Sequence, residues 1–235
     1  MEKISVSIFL SLNRFFKVIL CLFFILLFFN IITGYFKFIL GHPYVYGTVP
    51  LFDFDSENNI PTYFSSFILL FSAILLKIIA LFEKKNRNPF SCYWSFLSVV
   101  FLFLSIDEAS SIHELFILPL REEFNLSGIF YYSWIILGII FVLILLIFYY
   151  RFLFDLPKET RNNFIVAGAV YLMGAIVFEM IGGYYIDLNP GKELVYSVIT
   201  SFEESLEMIG IIIFINSLLR YIEKKIYEIN FSFKY

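Results

Sequence analysis

The sequence predicts an all-α fold, a polytopic transmembrane helix bundle of about six spans with both termini cytoplasmic. Three observations predict it. The chain of 235 residues is 60% hydrophobic and only 16% charged, with a mean hydropathy of +0.84, whereas soluble domains carry roughly 25% charged residues. Its apolar residues fall in runs of about 20, the length that crosses a hydrocarbon core of roughly 30 Å at 1.5 Å per residue. Lys and Arg collect on alternate connections, as cytoplasmic loops do.

The spans read from the sequence are 15–36, 62–82, 91–118, 129–150, 164–186 and 194–219. The first comes after a basic segment and runs longer than a signal-peptide core, with no small-x-small cleavage site behind it, so it reads as a membrane anchor. Pro61 with Thr62 opens the second, and Asn88-Pro89 marks the turn before the third. Pro119 is expected to close the third. Ser127-Gly128 separates it from the fourth, and Asn189-Pro190-Gly191 separates the fifth from the sixth. No long linker or repeat interrupts the chain, which reads as one domain over 1–235. Cys21 and Cys92 each fall in an apolar run, which argues against a disulfide framework.

Orientation is set by the basic residues. Lys3, Arg14 and Lys17 precede the first span, Lys84, Lys85 and Arg87 follow the second, and Arg151, Lys158 and Arg161 follow the fourth. Arg220, Lys224, Lys225 and Lys234 follow the sixth, while the opposite loops hold only Lys37, Arg121 and Lys192. Lys77 is placed to snorkel from the inner end of the second span. The small net charge of -3, with no basic stripe interleaved with stacking aromatics, excludes nucleic acid as a partner. The partner that remains is the lipid bilayer, with a lipid or small molecule as the candidate substrate.

Seven of the 20 acidic residues lie inside predicted spans: Asp107, Glu108 and Glu114 in the third, Glu179 in the fifth, and Glu203, Glu204 and Glu207 in the sixth. Carboxylates at mid-bilayer cost about 2.5 to 3.5 kcal/mol each on insertion scales, so such residues are functional candidates. No Lys or Arg neighbours them in these spans, and one imidazole, His113, balances at most one of the seven. At 3.6 residues per turn Asp107 and Glu114 are expected on one helix face with Ser110 and Ser111 between them, while Glu108 and His113 point to either side. Glu204 and Glu207 share a second face, flanked by Glu203. Counted from the span ends, Glu179 and Glu203 both fall in the outer half, near the level of Asp107.

Several carboxylates and one imidazole, with no thiolate cluster, suit a hard or borderline divalent metal ion. Asp107, Glu114, Glu179, Glu204 and Glu207 are the candidate ligands, with Glu203, Glu57 and Ser111 as possible additions. His113 and Glu108 are the candidate proton-transfer groups. Neither HExxH nor the paired ExxH helices of di-iron bundles are present. The bland alternative is a set of protonated acids hydrogen-bonded between helices, contributing about 0.6 to 2 kcal/mol each. In the loop before the second span, Asp53, Asp55 and Glu57 are spaced like the opening of a calcium loop but lack its glycine and terminal glutamate, so they read as a solvated acidic loop. Glu57 lies on the same membrane side as the buried acids and is placed to cap their cavity.

The blocks ENNIPTYFSS, SIDEASSIHE and EESLEMIG resemble those of a family of uncharacterised bacterial polytopic membrane proteins that carry the same three blocks in the same order. The resemblance covers spans two to six. It implies a bacterial inner-membrane protein and carries over no activity. The chain differs from CAAX-protease-like enzymes, because EESLEM lacks their following arginine and no second-block histidine pair exists. It also lacks the several histidines of alkaline-ceramidase-like membrane hydrolases. The resulting expectation is a metal-dependent intramembrane enzyme acting on a lipid or membrane-borne substrate. A cation- or proton-coupled transporter and a structural, partner-binding membrane subunit stand as alternatives.

Overall fold

A computed structural model describes residues 6–7, 12–225 and 230–231, with side chains from Arg14 to Lys225; Lys3 and Lys234, counted above among the cytoplasmic charges, lie outside the described residues. Val6–Ser7 (β1) pairs antiparallel with Asn230–Phe231 (β2), and everything else of regular form among the described residues is helical. The elements are α1 (Leu12–Gly34, continued by a π-helical segment Tyr35–Ile39), α2 (Thr48–Phe52), α3 (Ile60–Lys85), α4 (Ser91–Ser110) and α5 (Ile117–Phe124). They continue with α6 (Trp134–Asp155), α7 (Lys158–Leu172), a π-helical segment Met173–Phe178, α8 (Glu179–Leu188) and α9 (Glu193–Lys225). Among the described residues five stretches are long and apolar enough to cross a membrane, Arg14–Ile39, Ile60–Lys85, Ser91–Ser110, Trp134–Asp155 and Lys158–Leu188, and the expected sixth, in α9, is not one of them. Large apolar side chains stand on the outside, Ile147 at 81% and Phe154 at 64% exposure, as a hydrocarbon solvent allows and water does not.

Helix α9 has 33 residues, about 50 Å at the α-helical rise, and it is the axis of the bundle, touching α1, α3, α7 and α8. Its lower half is densely packed through Ile211, Ile215 and Leu218. Helices α3 and α4 form an antiparallel hairpin stitched by hydroxyls. Ser66 Oγ donates to the Ser105 carbonyl and Ser105 Oγ to the Ser66 carbonyl, both at 2.8 Å, and Ser98 Oγ donates to the Ala73 carbonyl at 2.7 Å. In a membrane such bonds supply specificity that apolar contact cannot, at roughly 0.6 kcal/mol each. At one end an aromatic cluster around Trp94 (1% exposed) joins Phe152, Phe164 and Tyr221.

Two glycines set how closely α7 and its π segment approach α9. A Cβ on Gly174 would lie 2.6 Å from the Glu203 carbonyl oxygen, and one on Gly210 would lie 2.7 Å from the Tyr171 nitrogen. Only hydrogen fits at both places, so the backbones touch where a side chain would hold them apart.

The opposite end carries the loops. The third span was expected to run to 118. The α-helix ends at Ser110, because Ser111 takes the left-handed conformation (φ 47°, ψ 43°), and the chain turns through a 3-10 segment, His113–Phe116, into α5. Pro119 therefore sits in the first turn of α5, where its missing N–H costs nothing, and does not close the span. Asn59 caps α3, accepting from Thr62 N at 3.1 Å, and its amide holds the Asp53 carbonyl at 2.6 Å. Asn30 on α1 accepts from Phe54 N at 2.9 Å and donates to Ser201 on α9 at 2.9 Å. These bonds clasp the 53–59 loop against the helices.

Candidate functional site

The end of α4 shows how local conformation builds the site. With the helix stopped at Ser110, the chain doubles back over its own last turn, and Asp107 receives both the backbone N–H of His113 at 2.8 Å and its ring Nδ1 at 3.0 Å. Helical spacing had placed His113 to the side of Asp107 and Glu114 on the same face. The left-handed residue at 111 reverses that relation, pairing His113 with Asp107 and leaving Glu114 exposed beyond the turn. With Nδ1–H engaged by the carboxylate, Nε2 is the ring nitrogen free to accept a proton.

From His113 the contacts run across the bundle. Its ring lies against Trp134 of α6, centroids 4.7 Å apart. Trp134 Nε1 donates to Glu179 Oε1 at 3.0 Å. Glu179 is within hydrogen-bonding reach of Glu203 on α9, and it stands at the first position after the π segment; a π turn rotates the helix beyond it, and such turns recur at functional sites. The close contacts at Gly174 and Gly210 bring Glu203 and Glu207 up to this segment. Tyr132 and Tyr196 hydroxyls meet at 2.6 Å beside it.

All of these groups line one cavity of about 490 Å³. Its wall holds Asp55, Glu57, Asp107, Glu108, Glu114, Glu179, Glu203, Glu204 and Glu207, with His113 and without Lys or Arg. Every acid singled out from the sequence as a candidate thus reaches the same chamber. Ser65 lies against Glu108, and Ser111 lies against Glu57 without itself lining the cavity. Glu203 is 9% exposed, while Glu204 and Glu207 keep partial exposure. The ion pairs among the described residues are Lys37–Asp53, His113–Asp107 and Glu159 with Arg220 and Lys224, so His113 is the one basic group at the cavity.

The 53–57 loop divides. Asp53, expected in a solvated loop, is buried at 5% and bound to Lys37 at 2.7 Å, with its other oxygen accepting from Asp55 N; its role is to fold the loop. Asp55 faces the cavity, where burial and then the charge of Asp53 push its carboxyl up to about 6. Glu57 is also raised, by desolvation and then by Glu114. Asp55, Trp134, Tyr132, Tyr196 and Thr200 were not among the site residues expected from the sequence. Trp134 had one available signal, an indole at the start of a span, where a polar handle meets an apolar body.

Among the described residues no three His, Cys, Asp or Glu side chains are gathered as a ready metal-ligand shell. The expected ligands Asp107, Glu114, Glu179, Glu204 and Glu207 surround a chamber and do not close on a point, because they come from elements whose spacing is set by the helices behind them.

Apolar helices of membrane-crossing length around an acidic interior chamber define a polytopic helical membrane protein. The chain belongs to the family described as Domain of unknown function (DUF8692), whose model matches residues 17–222. No curated protein and no solved structure matches it.

Proposed function

We propose that the protein is an intramembrane enzyme acting on a lipid or other membrane-borne substrate in this cavity. The reading is carried by the convergence of the carboxylates and the Asp107–His113 pair on one chamber whose remaining wall is mostly apolar. Asp107 orients the imidazole and His113 Nε2 moves the proton, with Glu108 beside the pair as a second proton-transfer group. A divalent cation would be held by Glu179, Glu204 and Glu207, with Glu114 and Glu203 on the same cavity wall, and would compensate those acids. It would supply an activated water by lowering its pKa. Cation- or proton-coupled transport is served less well, since beyond Glu207 the cavity offers Leu97, Phe101, Leu145 and Phe164 and no chain of acids to relay a charge.

Two measurements test the reading. Elemental analysis of the purified protein is expected to find a stoichiometric divalent ion that is lost in Glu204→Gln and Glu207→Gln; wild-type protein free of any such ion removes the metal-dependent step. Incubation with a membrane lipid extract, read by mass spectrometry, is expected to give a product that His113→Ala does not make, and identical lipid profiles from the two proteins end the enzyme proposal.

The same proposal places the chain in a bacterial inner membrane with α9 as a sixth span and both termini cytoplasmic, on the excess of Lys and Arg at one end of the bundle. Single cysteines at Lys158 and Lys192 in a background lacking Cys21 and Cys92 test this. A membrane-impermeant thiol reagent added outside intact cells is expected to label position 192 alone, and labelling at 158 alone reverses the orientation.

A further inference from the structure

The cavity is far longer than its acidic end. From Asp107 down to Leu97 on α4 its wall runs ten residues, roughly 15 Å at the helical rise, and past Glu207 it is lined by Leu97, Phe101, Val142, Leu145, Phe164 and Phe214. Helix α6 makes one side of this arm. It is held to the bundle near both ends, by His113 against Trp134 and by Tyr149 Oη donating to the Tyr93 carbonyl at 2.8 Å, with Phe152 stacked on Tyr93. Between these fastenings it stands off. Phe141 and Leu146 line the cavity and are still 38% and 53% exposed, so the arm opens sideways along α6, where the hydrocarbon of the bilayer lies. At the acidic end Thr200 is 7% exposed, lines the cavity, and its hydroxyl has no hydrogen-bond partner among the described residues.

Resting on the enzyme reading above, we propose that the substrate class is a cationic amphiphile: a long-chain amine whose ammonium group sits among the acidic wall and whose single hydrocarbon chain fills the apolar arm, entering beside α6. The wall has nine carboxylates, one imidazole and neither Lys nor Arg, so it attracts an ammonium and repels a carboxylate or phosphate head. The Thr200 hydroxyl is a free acceptor for one ammonium N–H. The arm is lined by apolar side chains, and the whole cavity, about 490 Å³, has the volume of an ordinary small-molecule site.

Equilibrium binding to the full-length protein in neutral detergent at pH 7, with a chelator present, tests this with dodecylamine, dodecanoate and butylamine as probes. Dodecylamine is expected to bind about tenfold or more tighter than either of the others. Val142→Trp, which fills the arm, is expected to weaken dodecylamine by a similar factor and to leave butylamine unchanged, and Glu204→Gln to weaken both amines. Equal binding of dodecanoate and dodecylamine by the wild-type protein overturns the proposal, as does indifference of dodecylamine to Val142→Trp. Should that variant not fold, the three-probe comparison on wild-type protein decides alone. Binding requires neither metal nor turnover, so amine selectivity without any lipid product sinks only the enzyme reading, and a product without amine selectivity sinks only this one.

Discussion

At the scale of single residues, the chemistry of the site depends on what each polar group has for a neighbour. Asp107 has two donors from His113, so Asp107→Asn leaves the shape nearly intact but favours the other imidazole tautomer, with Nε2 protonated. The expected outcome in lipid turnover is a loss of about 10² or more, read by the product assay, with the thermal midpoint in detergent little changed. Asp55 gives a pH dependence whose sign is fixed by its environment. Its folded carboxyl is raised from 3.8 to about 6, so between those values the folded protein retains a proton that the unfolded chain has released. Its contribution to stability is full below about pH 4 and is lost as pH rises through about 6. Thermal unfolding in detergent across this window is expected to show a decline that Asp55→Asn flattens; parallel curves for the two proteins would falsify the assignment.

At the scale of elements, the closest helix contact is made by what two residues lack. Gly210→Leu must push α9 off the Tyr171 backbone, and Gly174→Leu off the Glu203 carbonyl. Each is expected to destabilise by about 3 kcal/mol or more, the upper part of the overpacking range. Gly34→Ala, with nothing within 4 Å of its Cβ, is expected to be neutral or to stabilise by up to about 1 kcal/mol. Urea or dodecyl-sulfate unfolding of the three variants separates these outcomes. The cap at Asn59 is a second element-scale device: Asn59→Ala removes the bond to Thr62 and the tie to Asp53 and is expected to cost about 1 to 2 kcal/mol. Because that loop carries Asp55 and Glu57 into the cavity wall, the same change is expected to loosen that part of the wall.

At the scale of the whole molecule, the bundle gathers nine acidic side chains and one imidazole around a single cavity, with no Lys or Arg in its wall. Any cation that binds the folded chamber and not the unfolded chain stabilises it, by about 2.7 kcal/mol at a hundredfold excess over its dissociation constant. Added divalent cation is therefore expected to raise the thermal midpoint of the wild-type protein and to leave that of Glu204→Gln/Glu207→Gln unmoved. In a chelating buffer the double variant is expected to be the more stable of the two, since it has lost two acids from a crowded acidic wall. A wild-type midpoint insensitive to cation would mean that the acids hold their own protons.

Apolar runs of about 20 residues were enough to find five membrane-length helices, though not the end of the third at Ser110, because a bilayer demands that length of any helix and tolerates no other open structure. Acids amid those runs were enough to mark the candidates, since a carboxylate in oil is costly wherever its helix points. Their meeting in one chamber was beyond the reach of spacing. It required the left-handed Ser111, which turned His113 onto Asp107. It required Gly174 and Gly210, which let α9 approach the π segment, and the stand-off of α6, which left room between helices. Helical periodicity describes a face of one helix for as long as that helix lasts; where the chain breaks left-handed, or where two backbones touch, the partner of each side chain is set by atoms distant in sequence, and only the tertiary structure supplies them.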